Sequence, residues 1–291
     1  MTTITAFIKR HPLLSYFALT LALSWGAVLI VAGGPGGIST TNEASEMQQL
    51  LLYPALLVGP SVAGVLLTGL VSGRAGLREL RSGLLRWRVA AAWYAVALLT
   101  APLSVMAALL ALSLTSPKFV PGIVTSDDKT ILLLIGIFAG LMVGIFEELG
   151  WTGFAIPRLR LRYGVLGTGL IVGLVWGTWH FPAFFWGSGT PSGAGAVPVA
   201  LYLLVLLFSW LPAYRVLMVW VYDRSGSLLV AMLMHTSLVA SNAILAPLAL
   251  GGVATVTYDL VWAAVLWVVV AAVAVANRGH LSRQPLRRQL A

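Results

Sequence analysis

Apolar runs of roughly 20 residues recur along this 291-residue chain. Each is long enough to cross a hydrocarbon core of about 30 Å as a helix rising ~1.5 Å per residue. Helices are expected near 13–33, 48–72, 89–115, 130–157, 165–186, 196–222, 227–249 and 255–276. Charged residues make up only 9% and hydrophobic residues 59%, whereas a soluble domain carries about a quarter charged residues. Lipid must therefore solvate most of the surface. Backbone polar groups in lipid must be satisfied within the fold, so runs of this length imply an all-α, polytopic membrane bundle of about eight transmembrane helices. No soluble domain fits between the runs, and 1–291 reads as a single membrane domain. The run from Leu13 to Ala32 follows Lys9-Arg10 as a signal peptide would, but it can span and has no A-x-A site after it, so it reads as a retained first helix. Gly33–Gly37 and Gly187–Gly195 read as loops.

The basic residues test this layout. Of the 18 Lys and Arg residues, Arg215 falls inside a span, and Lys118 and Lys129 fall on one set of loops. The other fifteen fall on the alternate set: Lys9 and Arg10, the five from Arg74 to Arg88, Arg158, Arg160, Arg162, Arg224, and the tail 277–291. Cytoplasmic segments carry such an excess. The asymmetry places both termini in the cytoplasm of a multi-pass cell-membrane protein, with a basic cytoplasmic tail. The net charge of +9 then serves anionic headgroups, not nucleic acid. The chain has no cysteine, which excludes disulfides, cysteine nucleophiles and thiolate metal sites.

Ionisable side chains at membrane depth cost roughly 2.5–3.5 kcal/mol each on insertion scales. Those within spans are Glu147 and Glu148 on the fourth helix, His180 on the fifth, Arg215 on the sixth, His235 on the seventh and Asp259 on the eighth. The other histidines, His11 and His280, lie in the basic termini. Adjacent glutamates point about 100° apart on a helix, so one suits chemistry and the other suits holding a partner. A structural salt bridge to Arg158 or Arg215 is the alternative. Gly136, Gly140 and Gly144 recur every four residues, as do Gly169, Gly173 and Gly177. Such stripes allow close helix approach in lipid, and they lead to the expectation that helices four and five pack together. Carboxylates with two imidazoles allow two routes to hydrolysis: a glutamate acting as general base on water, or Glu147, His180 and His235 binding zinc or another divalent metal. No H-E-x-x-H element decides between them. A straight-helix count puts His180 about 10 Å deeper than Glu147 and His235. A tilted fifth helix or a deep loop between Gly150 and Gly164 is expected to close that gap.

Three segments in order resemble the CAAX prenyl protease and bacteriocin-processing (CPBP) family of intramembrane proteases. They are Glu147-Glu148-Leu149-Gly150-Trp151-Thr152-Gly153-Phe154 with Pro157-Arg158-Leu159; Trp176 with Trp179-His180-Phe181-Pro182; and His235 preceded by Gly226-Ser227-Leu228. The resemblance covers about 130–250. It implies that Glu147 activates water, that His180 shares that water or binds a metal with it, that Glu148 supports, and that His235 faces the substrate carbonyl or completes the site. It also implies a peptide or lipidated protein substrate at the membrane. The sequence departs from the family at Thr152, where the first motif has Arg, and at Val239, where the third has Asn or Asp. Arg158 and Asn242 are the nearest candidates to take those places. A non-catalytic immunity or scaffold protein with a degenerate site, or a proton-coupled transporter, would also place Glu and His in spans.

Overall fold

The computed structural model describes residues 3–34, 46–187, 198–248, 250–279 and 281–282. Most of the expected Gly187–Gly195 loop, Pro35–Gly37, His280 and the tail arginines Arg283, Arg287 and Arg288 lie outside the described residues. Among the described residues the chain is helical, with no strand. The helices are α1 (Thr3–Arg10), α2 (Pro12–Val31), α3 (Glu46–Leu84), α4 (Ala91–Ser113), α5 (Gly122–Thr125), α6 (Lys129–Gly150), α7 (Ile156–Arg160), α8 (Val165–Gly187), α9 (Val199–Phe208), α10 (Trp210–Ser225), α11 (Leu228–Leu245) and α12 (Val253–Ala276). They supply eight segments long and apolar enough to cross a membrane. The fourth runs through α6, a π-helical turn at Trp151–Ala155 and α7; the sixth runs through α9 and α10. Buried apolar side chains from all eight form one continuous core.

Local chemistry sets the boundaries. The Asp128 side chain caps α6 by accepting from the Ile131 N–H at 2.9 Å, and Ser227 caps α11 through Val230, each satisfying a donor that a helix start leaves free. α11 stops at Leu245, short of the expected 249, because Ala246 precedes Pro247 and is held extended. α3 overruns its expected end at 72, and its helix breaks at Gly73, whose φ of 59° favours glycine. The expected helix 196–222 divides at Ser209.

The glycine stripes pack differently from expectation. A Cβ on Gly144 would come within 2.7 Å of the Met232 carbonyl, and one on Gly136 within 2.7 Å of Ile244, so the α6 stripe faces α11. A Cβ on Gly173 would come within 2.6 Å of Pro212 Cα, so the α8 stripe faces α10. The two stripes do not meet each other. A row of small residues shows that some backbone approaches, and carries no information about which one. The result is two seams, one bringing His235 beside Glu148 and the other bringing Arg215 beside Trp176.

Candidate active site

Glu147 and Glu148 end the fourth segment's α-helical part, and both are buried. Their surroundings differ. Glu148 Oε1 accepts from Arg215 Nη1 at 2.7 Å and from His235 Nδ1 at 2.7 Å. Glu148 Oε2 accepts from the Thr152 hydroxyl one turn along the same helix. Both partners in the Arg215–Glu148 ion pair are fully buried. In that setting a carboxylate needs a countercharge and filled lone pairs, and Glu148 has both. Among the described residues Glu147 makes one side-chain hydrogen bond: its Oε2 accepts from Trp176 Nε1 at 2.7 Å. The other oxygen of Glu147 is free of hydrogen bonds to the described residues.

Trp176 is the hub. Its indole holds Glu147, its ring lies 4.1 Å beneath the Arg215 guanidinium carbon, and it meets both imidazoles edge to face, with centroids 5.2 Å from His235 and 5.3 Å from His180. A desolvated cation over an indole face gains roughly 2 kcal/mol. That offsets part of the cost of Arg215, whose Nε and Nη2 have no hydrogen-bond partner among the described residues.

Trp176 also explains how His180 joins the group. Trp176 precedes His180 by four residues, about 6 Å of rise, and helical side chains lean toward the N-terminus. The indole therefore reaches back toward Glu147, and no deep loop intervenes: residues 151–160 stay helical through the widened turn. His180 Nδ1 donates back to the Trp176 carbonyl at 2.8 Å. That carbonyl can only accept, so Nδ1 carries the proton and Nε2 of the neutral ring is an acceptor. Trp179 fixes the far side of this frame, its indole donating to Ser24 at 2.7 Å and Ser24 in turn to the Leu56 carbonyl at 2.6 Å. His180 is partly exposed, while Glu147, Glu148, Trp176 and His235 are sealed.

The remaining candidates lie apart. Arg158 donates to the Phe154 carbonyl and to Ser72, and stacks over the Phe154 ring; it does not reach Glu148. Among the described residues no side-chain hydrogen bond joins Asn242 to the cluster. Val239 follows His235 by one turn and is partly exposed. Asp259 is buried elsewhere, with Oδ2 unpartnered among the described residues. Arg215 entered the sequence reading only as a possible structural partner. A sharper signal was available: it is the one basic residue inside a span, and it needs an acid as much as two adjacent acids need a base.

Residues 129–241 match the sequence model of the family described as type II CAAX prenyl endopeptidase, Rce1-like. The match covers less than half of the chain. A 49-residue stretch is 41% identical to CAAX prenyl protease 2 of Methanococcus maripaludis, covering 17% of this chain and 18% of that protein. The matched segment 129–241 contains Glu147, Glu148, Thr152, Trp176, His180, Arg215 and His235, and ends one residue before Asn242. Where this chain has Thr152 in place of the motif arginine, the guanidinium beside Glu148 comes from α10.

Both imidazoles are anchored through Nδ1 and present Nε2, as metal-bound histidines commonly are. Among the described residues, however, no three His, Asp or Glu side chains gather closely enough to share an ion. The arrangement does not fit a zinc centre.

Proposed function

We propose that this protein is a membrane-embedded endopeptidase of the CAAX type, cleaving a peptide bond of a prenylated peptide or protein by means of a glutamate-activated water. The single observation that supports this most is the asymmetry of the glutamate pair: Glu148 is fully engaged, and Glu147 is oriented by one indole N–H with its second oxygen free.

In this reading the free oxygen of Glu147 takes a proton from a water whose other hydrogen bonds to His180 Nε2. The water oxygen attacks the scissile carbonyl carbon. Charge builds on the carbonyl oxygen, and His235 stabilises it when its imidazole is protonated, with Nδ1 held by Glu148 and Nε2–H aimed outward. The tetrahedral intermediate collapses, the C–N bond breaks, and the proton on Glu147 passes to the leaving nitrogen. Thr152 and Arg215 act through Glu148, holding it so that His235 keeps one orientation. No step passes through a metal. The partly exposed His180 marks the side from which substrate approaches. With the basic loops read as cytoplasmic, Arg158 and Arg160 at the end of the fourth segment support cleavage nearer the cytoplasmic leaflet than the outer one.

The test is cleavage of a prenylated peptide by the full chain in proteoliposomes, comparing wild type with Glu147→Gln. Cleavage by wild type that disappears in the variant supports the reading. Undiminished cleavage by the variant overturns the glutamate route, and an inert wild type over a range of prenylated peptides overturns the peptidase.

A further inference from the structure

The last part of α3 carries Arg74, Arg78 and Arg81 at i, i+4 and i+7, all exposed on one face. With Leu77 between them they line an open cleft of about 540 Å³. Among the described residues none of the three has an acidic partner. The opposite face fastens the segment to the bundle: Gly76 is buried, Leu80 lies within 2.6 Å of where a Cβ on Gly153 would stand, and Gly83 packs toward Leu228. The arginine face is therefore spare.

Its depth is set by the break at Gly73, which directly follows the apolar run ending at Val71. The arginines begin where the hydrocarbon ends. Just beyond, Leu85 and Trp87 are 62% and 59% exposed, with the Arg88 guanidinium 4.9 Å from the Trp87 ring centre. Tryptophan and arginine together are typical of the headgroup zone.

We propose that this cleft binds the headgroup of an anionic phospholipid, its phosphate held by Arg74, Arg78 and Arg81 and an acyl chain lying along Leu77. Guanidinium forks match phosphate oxygens in geometry as well as charge. An acidic peptide would match the charge, but it would leave Leu77, Leu85 and Trp87 facing nothing apolar. The site is also tied to the catalytic turn: Arg158 donates to Ser72 at 3.1 Å, and Leu80 abuts Gly153 within the π-helical turn that carries Thr152. Lipid seated here steadies the element that holds Glu148. The binding claim stands independently of the peptidase reading.

Native mass spectrometry of the full chain in detergent tests this, with phosphatidylglycerol and phosphatidylcholine of identical acyl chains. Wild type should retain phosphatidylglycerol preferentially. Arg74→Gln/Arg78→Gln/Arg81→Gln should weaken that binding roughly 100-fold, since each arginine near an anionic headgroup contributes about a fivefold factor. Lys9→Gln/Arg10→Gln/Arg162→Gln removes the same charge elsewhere and should leave it intact. Equal weakening by both triple variants, or equal retention of the two lipids by wild type, overturns the site. Displacement of bound lipid by inorganic phosphate or by an acidic peptide overturns it in favour of those ligands. Thermal unfolding in the same micelles confirms that the variants fold, and Arg74→Gln/Arg78→Gln carries the comparison if the triple variant does not.

Discussion

Two neighbouring carboxylates, Glu147 and Glu148, share a helix, a depth and near-complete burial, and differ in company. Glu148 has a cation, an imidazole and a hydroxyl around it; Glu147 has an indole and an unclaimed oxygen. The lesson concerns helical geometry. A step of about 100° turns one residue toward the α10 and α11 side chains and leaves its neighbour aimed past Trp176. Chemical identity is equal at both positions, and role is assigned by what the other helices present.

The contrast can be broken at its strongest point first. Glu147→Gln should lower cleavage by roughly 10²–10⁴ while the melting temperature in detergent stays near wild type; an unfolded Glu147→Gln would erase the distinction between the pair. Glu148→Gln should instead destabilise by about 3–5 kcal/mol, because it leaves the Arg215 charge buried without its partner. Glu148→Gln/Arg215→Met should recover most of that stability in thermal unfolding without recovering turnover, which would separate the fold from the orientation of His235. Trp176→Phe keeps the ring and removes the indole donor to Glu147. A hydrogen bond to a charged group is worth ~1.5–3 kcal/mol, so roughly a 10–100-fold loss of rate is expected with a smaller change in stability. The smallest expected effect is none: cleavage assayed after dialysis against a strong chelator should match the untreated protein, and restoration of a lost activity by added zinc would return Glu147, His180 and His235 to a ligand role.

Much of this was legible before any coordinates. Spans of about 20 apolar residues announce themselves, and the alternation of basic loops reinforces their number. Glu147, Glu148, His180 and His235 stand out because few ionisable groups tolerate lipid. What stayed hidden was partnership. Gly144 and Gly173 advertise a close neighbour, but the neighbour's identity is a property of the assembled bundle, and each stripe chose a helix other than the expected one. Thr152 looked like a lost arginine, yet the charge arrives from Arg215, 67 residues beyond Glu148. Trp176 was visible as the aromatic of a motif; its position between four ionisable side chains was not. The break at Gly73 lies where a residue-counting scheme sees only the end of an apolar run.

The widened turn at Trp151–Ala155 has a consequence for how this segment tolerates change. A π-helical turn accommodates one more residue than an α-helical turn over the same rise, so a substitution that straightened it to α-helix with every residue kept would swing everything beyond it by about 100°. Glu147 and Glu148 would keep their places, while Arg158 would leave Ser72 and Arg160 would leave Asp223, its ion-pair partner at 2.6 Å. The extra residue works as a phase shifter between two halves of one span: upstream it is set for the interior chemistry, downstream for the moorings at the membrane face.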